Sequence, residues 1–239
     1  MKLPNFNRDN LFPNRFENTL IDWLPTFYIS HIRECFFRLP RLKKHLHDVG
    51  LTNYHIVAAF NGWKDTVIHR EPSALSPGHY GCALSKMEII EKYGGNNIVF
   101  LGEDDVRFHK CWKEQLLTAL SVIPSDWEIL HLGALLYEGD GQVGPTQIAE
   151  NLWAAPNATC LPATLLRGER IQKIFCESIR GKWHIKESLF YTCDWYLAAL
   201  CREYDIKQYC TYPQIATQLQ GYSLADLRWQ NYHIGFHFK

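Results

Sequence analysis

The sequence predicts an α/β fold with a mostly parallel central sheet, and three observations carry the prediction. Short apolar runs alternate with stretches of helical spacing along the first half of the chain. The composition, 46% hydrophobic and 21% charged, is that of an ordinary globular protein. The length of 239 residues suits one large domain, and neither an internal repeat nor a low-complexity linker interrupts it. Residues 1–239 therefore read as one continuous domain, with an N-terminal arm at 1–22 and a C-terminal tail at 224–239.

The elements follow in order. "LPTFYIS", from Leu24, is a short apolar run suited to a buried strand. Arg33 to Val49 is basic and helical, with a break expected near Pro40 and a stop at Gly50. "YHIVAAF" is a second strand, ending at the turn signal Asn61-Gly62. His79 to Tyr93 carries Ala83, Met87 and Ile90 at helical spacing before Gly94-Gly95. "NIVFL" is the third strand, a helix follows from about Lys110 to Val122, and "WEILHLGAL" is the next strand. Beyond it, Gly139, Gly141 and Gly144 mark a loop, "LWAAPNATCL" suggests strands, and helices are expected over 163–180 and 192–203.

Several classes are disfavoured. The 25 basic and 25 acidic side chains leave a formal net charge of zero, whereas a general nucleic-acid binder carries a basic surplus. No apolar run approaches the roughly 18–20 residues that span a bilayer, and the first residues lack the apolar centre of a secretory signal. The eight cysteines include no CxxC pair and no zinc-ribbon spacing, so they read as free, partly buried thiols of a cytoplasmic protein. Asn157-Ala158-Thr159 is then a chance glycosylation match.

The most informative stretch is "NNIVFLGEDDVRF", residues 96–108, where a buried strand runs into Glu103, Asp104 and Asp105. In extended chain residues i and i+2 share a side, so Glu103 and Asp105 can face one point while Asp104 faces another. Carboxylates this close repel unless a cation or proton intervenes. Hard oxygen ligands suit Mg2+ or Mn2+, and the carboxyl end of a parallel strand is where open α/β sheets place ligands. The plainer alternative is a solvated acidic turn ahead of a helix.

Several segments, in order, resemble the glycosyltransferase family 25 enzymes. They are "FYIS" with its Arg-rich helix, "AAFNG", "GHYGCALSKMEII", "FLGEDDVRF", "WEILHLG", "CDWYL" and "YPQIATQLQGYS", together spanning about residues 25–223. The resemblance implies a GT-A-like, Rossmann-type glycosyltransferase fold, a UDP-hexose donor (galactose foremost), a glycan acceptor and Mn2+ or Mg2+ at the acidic motif. Three positions depart from the family pattern. Asn61 stands where Asp is usual, Lys86 where His is usual, and Gly102 interrupts the approach to the acids.

On that resemblance Asp105 is the direct metal ligand, Glu103 supports it, and Asp104 contacts ribose or sugar hydroxyls. Asp194 is the general base for an inverting transfer, or else a carboxylate placed in a helix's first turn for structural reasons. Tyr28, Ile29 and Ser30 end the first strand, where a nucleoside would lie, or pack in the core. Asn61 bonds the nucleotide or forms a turn. Gly81 and Ser85 admit the donor or start a helix, and Lys86 pairs with phosphate or lies on the surface. His233 is a candidate further metal ligand. The implied activity is a metal-dependent inverting hexosyltransfer. The alternatives are a non-catalytic nucleotide-sugar- or glycan-binding protein of the same fold and a metal-dependent phosphoesterase. Peripheral membrane contact is left open.

Overall fold

The structure is a computed structural model and describes residues 24–65, 77–95, 97–136, 144–180, 193–223 and 227–230. The expected N-terminal arm and most of the tail lie outside these residues.

The first half forms as its pattern dictates. Strands β1 (Phe27–His31), β2 (Tyr54–Ala58) and β3 (Ile98–Glu103) are parallel and adjacent in the order β2-β1-β3. Helix α1 (Arg38–Asp48) connects β1 to β2, and α2 (Pro77–Tyr93) precedes β3. The break foreseen near Pro40 falls earlier. A short 3-10 turn at Arg33–Cys35 precedes α1, and Pro40 sits in the first turn of α1, where its missing N–H costs nothing. Gly50, at φ +67°, stops the helix as anticipated.

The second half departs from the expected parallel sheet. Strand β5 (Ile129–Leu136) follows α3 (Trp112–Val122), the short strands β6 (Thr146–Ala149) and β7 (Leu152–Ala154) come next, and β8 (Ala158–Arg167) enters between β3 and β5, antiparallel to both. Helices α4 (Glu169–Ile179) and α5 (Cys193–Glu203) lead to β9 (Gln208–Thr211). The eight-stranded sheet has the order β2-β1-β3-β8-β5-β9-β7-β6 and is mixed, with three parallel and four antiparallel pairings. The class is α/β, but the sheet is not mostly parallel. Residues 163–167 had read as helix; they are instead the second half of β8 at the sheet's centre. A short apolar run buried on both faces has no period to separate strand from helix.

Two small antiparallel pairs lie outside the main sheet: β4 (Val106–Phe108) with β10 (Ala216–Gln218), and β11 (Gly221–Ser223) with β12 (Arg228–Gln230). The first fixes the acidic segment. Val106 and Phe108 are buried, and Phe108 meets Phe27 edge-on with ring centroids 5.5 Å apart and Trp112 at 5.2 Å. Phe27 also packs on Phe100 at 4.3 Å. Each such ring contributes on the order of 1.5–3 kcal/mol by burial, so the chain on both sides of residues 103–105 is anchored in the core.

All eight cysteines are free, five of them buried. Asn157 is 2% exposed and accepts a hydrogen bond from Arg202, which accords with reading its sequon as chance. His131, fully buried in β5, lies 3.3 Å from both Thr164 and Gln208, and burial pushes its pKa down to about 4. No helix among the described residues is long and apolar enough to cross a membrane.

Gly102 interrupts the approach to the acids from within the strand itself. It lies within β3, in register with Ile29 and Ala163, and a Cβ there would stand 2.3 Å from the Phe27 ring and 2.8 Å from the Pro162 carbonyl oxygen. Gly102→Ala is therefore expected to destabilise the protein by about 1–3 kcal/mol through overpacking. In urea denaturation, Gly221→Ala serves as the control, because a Cβ there meets nothing within 4 Å.

Candidate active site

The chain leaves β1 for β2 on one side and returns to β3 on the other, so the order β2-β1-β3 contains a topological switch point. Crevices at the carboxyl ends of strands beside such a switch are the usual ligand sites of open α/β sheets. A cleft lies there, with an empty volume of about 880 Å3 that opens to solvent. Its walls come from the ends of β1 and β3, the starts of α2 and α5, and the β10–β11 segment. Glu103, Asp104, Asp105 and Asp194 all line it.

The three adjacent acids are held in three different ways. Asp104, 6% exposed, accepts hydrogen bonds from His31 Nδ1 at 2.6 Å and Arg38 at 2.7 Å, one on each oxygen. Glu103 accepts from Lys86 Nζ at 2.5 Å on Oε1 and from Gln218 Nε2 at 3.1 Å on Oε2. Among the described residues the Asp105 side chain receives only a long contact from the same Gln218 nitrogen, 3.4 Å, at Oδ1. Glu103 and Asp105 share one donor and Asp104 takes others, the separation expected from the sequence, although Asp104 and Asp105 form a turn after β3 and not extended chain.

The electrostatics follow from this geometry. Four carboxylates line the cleft, and two permanent cations, Lys86 and Arg38, bond to them. Burial, together with repulsion from Glu103 and Asp104, pushes Asp105 up to about 7. Burial raises Asp194 as well, against the opposing pull of Lys86. Lys86 is 4% exposed; burial disfavours its charge, but Cys82, Glu103 and Asp194 around it hold its pKa well above the ordinary lysine value. An amine in this setting stays protonated and ties α2 to the end of β3.

Asp194 sits in the first turn of α5, and its Oδ2 accepts the backbone N–H of Cys160 at 2.9 Å. Cys160 adopts φ +56°, which is rare for a residue with a Cβ and marks local strain. That conformation accompanies the irregular register between β5 and β8, where the β8 amide reaches the carboxylate.

The remaining candidates separate clearly. Ser30 and Ser85 line the cleft, although both hydroxyls bond backbone: Ser30 Oγ to Gly102 O at 3.2 Å and Ser85 Oγ to Gly81 O at 2.7 Å. Ile29 is a fully buried core residue, and Tyr28 stacks on Tyr93 at 4.0 Å, so the packing reading holds for both. Asn61 closes its turn: its Nδ2 donates to Glu34, its Oδ1 accepts from Trp63 N, and its own N–H donates to Asp65. Gly81 admits that turn rather than a ligand, since a Cβ would stand 2.7 Å from Gly62 N. Lys86 is a buried ion-pair partner, neither a surface residue nor a cleft-lining one. Asp104 reaches the cleft with both oxygens already engaged, which leaves it a poor contact for sugar hydroxyls. His233 lies outside the described residues.

His31, Arg38, Cys160 and Gln218 were not singled out from the sequence. For His31 and Arg38 the available signal was the charge balance around three adjacent acids, which demands nearby cations. For Gln218 it was its place in "YPQIATQLQGYS"; for Cys160 there was none, because a backbone N–H carries no sequence signature.

Among the described residues no group of three acidic, histidine or cysteine side chains is placed to hold a metal ion. Glu103 Oε2 and Asp105 Oδ1 nonetheless converge on a single polar atom. A hard divalent cation that keeps waters and takes ligand phosphates needs only one or two such carboxylates. The donor set fits Mg2+ or Mn2+ on that basis, with Asp105 and Glu103 as the residues that would hold it.

No protein-family model matches the chain, and no curated protein matches its sequence.

The ion pair yields a direct test. Lys86→Met is expected to cost about 2–3 kcal/mol, below the roughly 3–5 kcal/mol of a fully buried pair, because Glu103 keeps 24% of its side-chain surface exposed. Adding Glu103→Gln should recover most of that loss, since the stranded charge is gone. Thermal and urea unfolding of the single and double variants measure both effects.

Proposed function

We propose that this protein is a metal-dependent inverting hexosyltransferase that uses a UDP-sugar donor, galactose foremost, and a glycan hydroxyl as acceptor. The observation that carries the reading is Asp105. It is a desolvated carboxylate with no cation partner among the described residues, in a cleft at the switch point that Asp194 also lines. The ordered resemblance of seven segments to family 25 supports the same reading, as does the α/β class.

The roles follow from the contacts. Bound at Asp105 and Glu103, Mn2+ or Mg2+ would supply charge neutralisation for a departing diphosphate. Asp194 accepts the proton of the acceptor hydroxyl as that oxygen bonds to the anomeric carbon, and the bond from that carbon to the diphosphate breaks on the opposite face, with UDP leaving. Cys160 N–H fixes one oxygen of Asp194 and so orients the other. A raised pKa suits a base, because the proton is then held more firmly once taken. Lys86 positions Glu103 and moderates Asp194 without touching substrate.

One observation favours the alternative, a nucleotide-sugar- or glycan-binding protein without turnover. Lys86 and Gln218 already occupy both oxygens of Glu103, which thins the donor set. UDP release from a panel of UDP-hexoses, with Mn2+ and with EDTA, separates the two. Turnover of one sugar is expected, abolished by EDTA and by Asp105→Asn, and lowered about 10²–10⁴-fold by Asp194→Asn. Metal-dependent UDP binding without turnover across acceptors would favour the binding protein, and absence of UDP binding would overturn the UDP-sugar reading.

A further inference from the structure

Gln218 is 7% exposed and lines the cleft, and its side-chain amide is satisfied on one end only. Nε2 donates to Glu103 Oε2 at 3.1 Å and to Asp105 Oδ1 at 3.4 Å. Oε1 is buried and has no hydrogen-bond partner among the described residues. A buried amide oxygen without a partner is destabilising, so its place beside two carboxylates calls for a physical reason.

The position is built into the fold. Strand β10 pairs with β4 so that Gln218 is in register with Val106, and Leu219 N donates to Asp105 O at 2.9 Å. The residue that follows the acids is thereby clamped to the residue that carries the amide. This pairing holds the Gln218 backbone beside the acids.

Resting on the metal-dependent reading above, we infer that Gln218 is a further side-chain ligand of the cation and exchanges the two ends of its amide as the cation binds. Without a cation, Nε2–H2 between Glu103 and Asp105 offsets their repulsion. A cation drawn to the same two oxygens repels that N–H2 group. Turning the amide over removes the donor and presents Oε1, a hard carbonyl oxygen of the kind Mg2+ and Mn2+ accept. The orphan acceptor of the cation-free protein is the donor atom that the two carboxylates lack. A carboxylate at 218 would ligate as well but would add a fifth acid to a cleft already short of cations, whereas a glutamine serves both states.

The test reads metal binding, not turnover. Free Mn2+ is followed by electron paramagnetic resonance as it is titrated into the full chain, with and without UDP. Wild type, Gln218→Leu, Gln218→Glu and Asp105→Asn are compared, and melting in EDTA confirms that each is folded. The expected result is binding by wild type, a loss of at least about tenfold in affinity for Gln218→Leu, the lower end of what disturbing a metal's ligand environment costs, and affinity kept or raised for Gln218→Glu. If wild type binds and Gln218→Leu binds equally or more tightly, Gln218 only offsets repulsion and the ligand assignment falls while the metal reading stands. If neither wild type nor Asp105→Asn binds Mn2+ under either condition, the metal reading falls and takes this assignment with it.

Discussion

Three consecutive carboxylates at the end of a buried strand are the constraint on which this molecule turns. Left alone they repel one another and resist burial. The fold answers with Arg38 and His31 on Asp104 and with Lys86 on Glu103, leaving a neutral amide as the only side-chain contact to Asp105 among the described residues. Each partner comes from a different element: β1, the start of α1, α2 and β10. The acids therefore act as a hub that fixes those elements around one cleft. They also leave Asp105 without a cation partner among the described residues, the feature on which the proposed metal site rests.

The scaffold holds the hub rigidly from both sides. Phe27, Phe100, Phe108 and Trp112 form a continuous aromatic stack beneath β3, the acidic turn and the start of α3. Gly102 is the point where that stack needs room, since any side chain there collides with Phe27. A position that reads as a blemish in an acidic motif is thus a packing requirement of the strand that delivers it. The same holds at Gly62 and Gly81, where the turn after β2 meets α2: a Cβ would stand 1.6 Å from Pro77 O at the first and 2.7 Å from Gly62 N at the second.

Much of the first half was legible from the sequence because its elements alternate and end in turn residues. The i, i+2 argument separated Asp104 from Glu103 and Asp105, although the chain turns after Glu103 and leaves strand geometry there. What escaped reading depends on tertiary pairing. Residues 163–167 carry no period, so only their place between β3 and β5 makes them strand. Lys86 falls on a helix that gives no hint of which carboxylate it will meet, and its burial follows from α2 packing against β3. Gln218 is 113 residues away from Asp105 in the chain and reaches it through a three-residue strand pair. Tyr28 and Ile29 illustrate the opposite error: the end of a strand at a ligand-binding edge still points some residues into the core.

The central claim is that Asp105 is the carboxylate kept for a divalent cation. Anomalous scattering at the manganese edge, from crystals grown with Mn2+ and UDP, addresses it most directly. The account predicts one strong peak within coordination distance of Asp105, with Lys86 still bonded to Glu103. Crystals that contain UDP in the cleft but show no manganese at Asp105 would contradict it.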